Sequence, residues 1–264
     1  MLLLVVDTAG PMGGVLLAGG VLLAEGNENN GGGDHSNGPE IEILGVIDLH
    51  PRQFSAELIP AIAELLRANE LRLAAVDAFA VVSGPGSFTG LRVGLSAVKA
   101  MAEATGKPIL TLSRLAIMAA MAAKLSSGEL GDATMHVVFD AGRGEFYHGI
   151  YRDAGKTCVA ESFETFDSLT GKIRQQAGWV IVAETSVKTA FLSVAGSRLR
   201  EVPLPSVRDA LPLAIEEWRA RRFHDPVGVD ANYLRRSDAV VIVRTKAEPV
   251  ARAARAARAE DVSS

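Results

Sequence analysis

The sequence has a single cysteine, Cys158, so no internal disulfide can form and a reducing, cytoplasmic setting is the expectation. Aromatic residues make up only 5% of a chain that is 48% hydrophobic, so alanine, leucine and valine must supply most of a sizeable core. Positive charge is not in excess. The net charge is −4, which gives this chain no electrostatic grip on a polyanion by itself. Long apolar runs are also lacking. The apolar opening at 2–6 is interrupted by Asp7 and has no basic flank, too short for a signal peptide. No uncharged run approaches the roughly 20 residues that span a bilayer, so no membrane association is expected. Five histidines are present, yet no two stand four apart, so a His-x-x-x-His metal pair is absent and no metal site is expected.

What is present is an alternation of short apolar strands with helices, in a chain of 264 residues that is long enough for two modest lobes. Residues 2–6 read as a buried strand, followed by Asp7 and a glycine-rich turn. The runs 15–18 and 21–24 are expected to complete a meander. Residues 26–39 are polar and glycine-rich and read as a flexible insertion, and 40–49 returns as a strand. Residues 52–69 form an amphipathic helix whose stripe is Phe54, Leu58, Ile62 and Leu65, with a kink or late start expected at Pro60. After a polar break at 126–132, residues 135–139 form a strand that again ends in aspartate, Asp140. A glycine turn carrying Arg143 and two further strands follow. This repeats the N-terminal layout. Asp209 is expected to cap a helix over 209–222. Residues 245–264 show no apolar periodicity, and Arg252, Arg255 and Arg258 recur there as a solvated tail.

The central stretch is 76–104. A strand at 78–82 runs into Ser83, Gly84, Pro85, Gly86, Ser87, Phe88, Thr89 and Gly90. A helix follows, with Leu91, Leu95, Val98 and Ala102 at helical spacing and the small Gly94, Ala97 and Ala100 beside them. The loop lacks the Lys-Ser/Thr of a P-loop, the third glycine of a dinucleotide fingerprint and the G-x-S-x-G of a nucleophile elbow. The physical reading is a structural loop that opens an interaction helix, its small residues admitting another helix at close range. Asp7 reads as the cap of its own turn.

As a whole, SGPGSFTGLRVGLSAVKAMA resembles the motif of the TsaB (YeaZ) family, paralogues of TsaD that serve tRNA threonylcarbamoyladenosine biosynthesis. DAGRGEFY around Asp140 and Tyr233-Leu234-Arg235 resemble two further family motifs. The resemblance implies an α/β, actin-like ATPase fold (duplicated, ribonuclease H-like) with two lobes, at 1–125 and 126–243, and a tail at 244–264. It implies a non-catalytic assembly subunit that binds and activates TsaD, which transfers the threonylcarbamoyl group. TsaE is expected to dock on the pair, and a homodimer is expected through the same helices. tRNA is reached only through the complex. No cofactor is intrinsic, and ATP or ADP is confined to the complex interface. The pairing residues on this reading are Phe54, Leu58, Ile62, Leu65, Leu91, Gly94, Leu95, Ala97, Val98 and Met101. Leu95→Glu or Val98→Glu should then break pairing without unfolding the chain. The alternative is a small actin-like ATPase or kinase acting on its own, with Asp7, Asp140 and Arg143 facing a nucleotide. No catalytic residue is assigned on the first reading.

Overall fold

The computed structural model of the chain describes residues 1–20, 41–126, 129–130 and 133–234. The predicted strand at 21–24, the insertion at 26–39, Arg235 and the tail lie outside these. Residues 1–232 form one compact unit, and it contains two five-stranded sheets.

The first sheet is built from β1 (Leu2–Asp7), β2 (Gly13–Gly20), β3 (Ile41–Leu49), β4 (Ala78–Gly84) and β5 (Ile109–Ser113), in the order β3-β2-β1-β4-β5. β1 pairs antiparallel with β2 and parallel with β4. The second is built from β6 (Met135–Gly142), β7 (Glu145–Arg152), β8 (Thr157–Thr165), β9 (Trp179–Val182) and β10 (Leu199–Glu201), in the order β8-β7-β6-β9-β10. β6 pairs antiparallel with β7 and parallel with β9. Each sheet is thus a meander continued by two parallel strands on the side of its first strand. This duplicated topology is that of the two-lobe actin-like ATPase fold.

Helices cover the sheets because each strand of the centre is apolar on both faces. α1 (Phe54–Ala68) and α2 (Phe88–Thr105) bury their apolar stripes on one face of the first sheet. α6 (Val207–Arg219) packs on the other face with Val207, Ala210, Leu211 and Ala214. α3 (Arg114–Leu125) leaves β5 and packs on strands of both sheets, which makes it the crosspiece of the fold. α4 (Phe166–Gln175) and α5 (Thr185–Ala195) cover the second sheet around Phe146, Leu169 and Phe191.

Three local expectations are corrected. The third strand of the first meander is β3. α1 runs through Pro60 without interruption, because that residue lies on its exposed side while Leu58, Ala61 and Ile62 hold the buried side in place. Asp209 is not the N-cap of α6 but its third residue. Ser206 is the cap, and its N–H donates to Asp209 Oδ2 at 2.9 Å in a capping box.

Candidate functional site

The glycine motif is used inside the chain. Ser87 caps α2 by accepting from Gly90 N–H at 3.2 Å. Ser87 N–H donates to Ala9 O at 2.8 Å, and the Thr8 hydroxyl donates to Gly90 O at 2.7 Å. A Cβ at Gly86 would stand 2.2 Å from Ala9 O, and one at Gly90 only 2.0 Å from Thr8 O. The loop after β1 and the first turn of α2 are in backbone contact, and only glycine permits that approach. The small residues of this motif therefore admit the chain's own β1 loop, not a second helix.

The predicted pairing residues fall on the inner side of their helices. Phe54, Leu58, Ile62, Leu65, Leu91, Gly94, Leu95, Val98 and Met101 are all buried in the core on the first sheet, and Ala97 is half-buried. Val98 is fully buried. A glutamate at Leu95 or Val98 would put a charge in the core and unfold the chain, which removes these two substitutions as tests of pairing. The outward side of the same helices is different in kind. On α1 it presents Ala56, Ile59, Pro60 and Ala63, with Ile59 54% exposed. On α2 it presents Ser96 and Ala100, flanked by the half-buried Val93 and Ala97. Small and apolar side chains thus lie exposed on both helices, beside the charged Glu64 and Arg67 of α1 and Arg92 and Glu103 of α2.

A cleft of about 740 Å³ opens beside this surface. Its walls come from the starts of α1 and α2 (Arg52, Ser55, Ser87, Thr89), from Asp140 at the end of β6, and from Glu184 before α5. Arg114, first residue of α3, lines its floor and is 5% exposed. The guanidinium lies 4.2 Å over the Phe139 ring. Asp7 is buried behind it, with Oδ1 accepting from Ala9 N–H at 2.8 Å. Among the described residues, Asp7 Oδ2, Arg114 Nε and Nη2, and Glu184 Oε2 find no hydrogen-bond partner. Burial pushes the Asp7 and Glu184 carboxyls up and the Arg114 guanidinium down, each against the pull of its opposite charges.

Three residues were expected to face a nucleotide, and the structure separates them. Asp7 is sealed under the β1 loop, Asp140 lines the cleft, and Arg143 sits exposed on the β6–β7 turn in a left-handed conformation (φ 60°). The loop after β1 does not fit a magnesium–phosphate group. Its one hydroxyl is committed to Gly90, Pro11 has no N–H, and Arg114 is packed against Gly10. Among the described residues no group of three or more His, Cys, Asp or Glu is placed to hold a metal ion, and no helix is long and apolar enough to cross a membrane. Sequence reasoning missed Arg114 and Glu184, because Arg114 meets Asp7 and Glu184 only in the folded chain.

The family model described as "TsaD: tRNA N6-adenosine threonylcarbamoyltransferase" matches residues 48–196, more than half of the chain. The "tRNA threonylcarbamoyladenosine biosynthesis protein TsaB" of Haemophilus influenzae is 26% identical over 205 residues, covering 71% of this chain and 82% of its own length. The Escherichia coli protein of the same description is 29% identical over 177 residues, 64% of this chain and 75% of its own. The solved structure of YeaZ from Pseudomonas aeruginosa superposes with a TM-score of 0.64 at 26% identity, covering 88% of this chain and 99% of that one. The chain belongs to the TsaB (YeaZ) family. Within a TsaB-family chain, the motif 83–90 reads as the joint between the β1 loop and α2.

Proposed function

We propose that this chain is a non-catalytic assembly subunit of tRNA threonylcarbamoyladenosine biosynthesis, one that binds and activates TsaD. The family relation supports the pathway, and the exposed small-residue surface of α1 and α2 supports the pairing. A partner built on the same plan offers a like pair of helices, and four such helices bury apolar surface worth about 25 cal/mol per Å² before association costs. The same surface accepts a second copy of this chain as a homodimer. TsaE docks on the pair, and tRNA is engaged only through the complex. ATP or ADP enters at the complex interface, since the one hydroxyl of the loop after β1 is committed to Gly90 O and not left for a phosphate. That lack of fit also weighs against an independent ATPase or kinase. The observation that carries the proposal is Ile59, a large apolar side chain more than half exposed in the middle of α1. The test is Ile59→Glu, titrated calorimetrically into the TsaD protein of the same organism. The variant should fold as the wild type and lose at least tenfold in affinity, about 1.4 kcal/mol. Unchanged binding by the folded variant would sink the proposal.

A further inference from the structure

Glu161 on β8 of the second sheet accepts from three side chains that come from distant parts of the chain. Its Oε1 accepts from the Ser113 hydroxyl, the N-cap of α3, and from Tyr151 OH at 2.5 Å. Its Oε2 accepts from Asn232 Nδ2 at 2.7 Å. Asn232 ends a strap, 223–232, that runs along the first sheet. His224 exchanges two backbone hydrogen bonds with Ile109 of β5, at 3.1 and 2.8 Å. Lys99 of α2 donates to Val229 O at 2.9 Å. Asn232 N–H donates to Ser83 O at 2.8 Å, where β4 enters the glycine motif, and Asn232 O lies 3.0 Å from where a Cβ on Gly84 would stand. One carboxylate thus fastens three things to the second sheet: the start of α3, the end of the strap and, through Asn232, the turn that launches α2.

We infer that Glu161 is a positioning residue for the pairing face. It holds α2 in place by clamping the strap that touches the helix at Lys99 and its entry turn at Ser83. The inference rests on the reading that α2 belongs to that face, but its structural half stands without a partner. A hydrogen bond to a charged group is strong enough for its loss to be read at the far end of the strap. Tyr151 supplies the control, because β7 and β8 belong to the same sheet and its bond to Glu161 spans no lobes.

The experiment is hydrogen exchange by mass spectrometry on the full chain, for the wild type, Asn232→Leu and Tyr151→Phe, followed by binding of each to TsaD. In Asn232→Leu, amides of 83–95 should exchange about tenfold faster, and TsaD affinity should fall by a similar factor. Tyr151→Phe should stay within about twofold of wild type on both readouts. Unchanged exchange at 83–95 in Asn232→Leu, or equal loosening in Tyr151→Phe, would overturn the inference. If the wild type ignores TsaD while the exchange contrast holds, the pairing reading falls alone and the hold of Glu161 on the turn remains.

Discussion

The two sheets share a topology and end their first strands in the same way, yet the joints that follow are built for opposite ends. Asp7 Oδ1 accepts from Ala9 N–H at 2.8 Å, and Asp140 Oδ1 accepts from Gly142 N–H at 2.7 Å, the same turn in both lobes. In the first lobe that turn is buried under α2 by the glycine motif. In the second it stays exposed, and the corresponding helix α5 starts directly after β9 with Glu184 as its N-cap and no glycine loop before it. The lobe with the motif spends its flexibility on welding a helix to its first loop, and the other keeps its turn open to the cleft. A second difference lies under the surface. With the two aspartates aligned, Leu3 and Leu16 of the first sheet correspond to His136 and His148 of the second. That histidine pair is buried and stacked, with Nδ1 of His136 3.0 Å from Nε2 of His148.

The weld is where the comparison breaks most sharply. Gly90→Ala places a methyl 2.0 Å from a backbone carbonyl that cannot swing aside, and should cost about 3 kcal/mol of unfolding free energy in urea titrations. Gly142→Ala in the open turn meets no atom within 4 Å and bears only the strain of its φ of 77°, about 1 kcal/mol. Equal losses would remove the distinction between the two joints.

The histidine pair should add an acid sensitivity that the leucines at the matching places in the first sheet do not give. His136 Nε2 lies 2.8 Å from Gln176 O, so it donates there, accepts from His148 at Nδ1, and leaves His148 Nδ1 bare. Burial pushes both imidazoles down, His148 to about 3, with the other histidine and Lys172 adding to the effect at His148, Glu164 opposing it, and Arg198 acting on His136. The unfolded chain takes up protons near pH 6.5 that the folded chain refuses. Stability from the pair is therefore complete above that pH and lost as pH falls toward 3. Between pH 7.5 and 5 the loss from His148 should be about 2 kcal/mol. The doubly substituted His136→Leu/His148→Leu chain, which copies the first sheet, should lose that dependence. A wild type whose urea midpoint is flat over this range would contradict the assignment.

The smallest contrast is between the two aspartates. Asp7→Ala leaves buried Ala9 N–H without an acceptor and takes an opposite charge away from buried Arg114, and should cost about 1 kcal/mol more than Asp140→Ala, whose partner reaches water. Thermal melts of the two single variants measure this.

Much of the fold was legible because strands such as 78–82 and 135–139 are short apolar runs bounded by glycine or aspartate. β10 was missed: three residues, two of them charged, carry no periodicity. The candidate site was legible only in part. Periodicity marked an apolar stripe on α1 and α2, but the strongest stripe on a helix goes to its own core. The proposed partner face is what remains, and residues as small as Ala56, Ala63 and Ala100 leave little trace in a hydrophobic pattern. Arg114, Glu161, Glu184 and Asn232 were invisible for a different reason. Their partners lie tens of residues away, and the packing of α3 across both sheets and the course of the 223–232 strap bring them together.

The most direct measurement is size-exclusion chromatography with light scattering, on this chain alone and mixed with the TsaD protein of the same organism. The expected result is a stable mixed complex that replaces self-pairing in the wild type and is missing with Ile59→Glu. A wild-type chain that elutes unchanged in the presence of TsaD would contradict the assembly role.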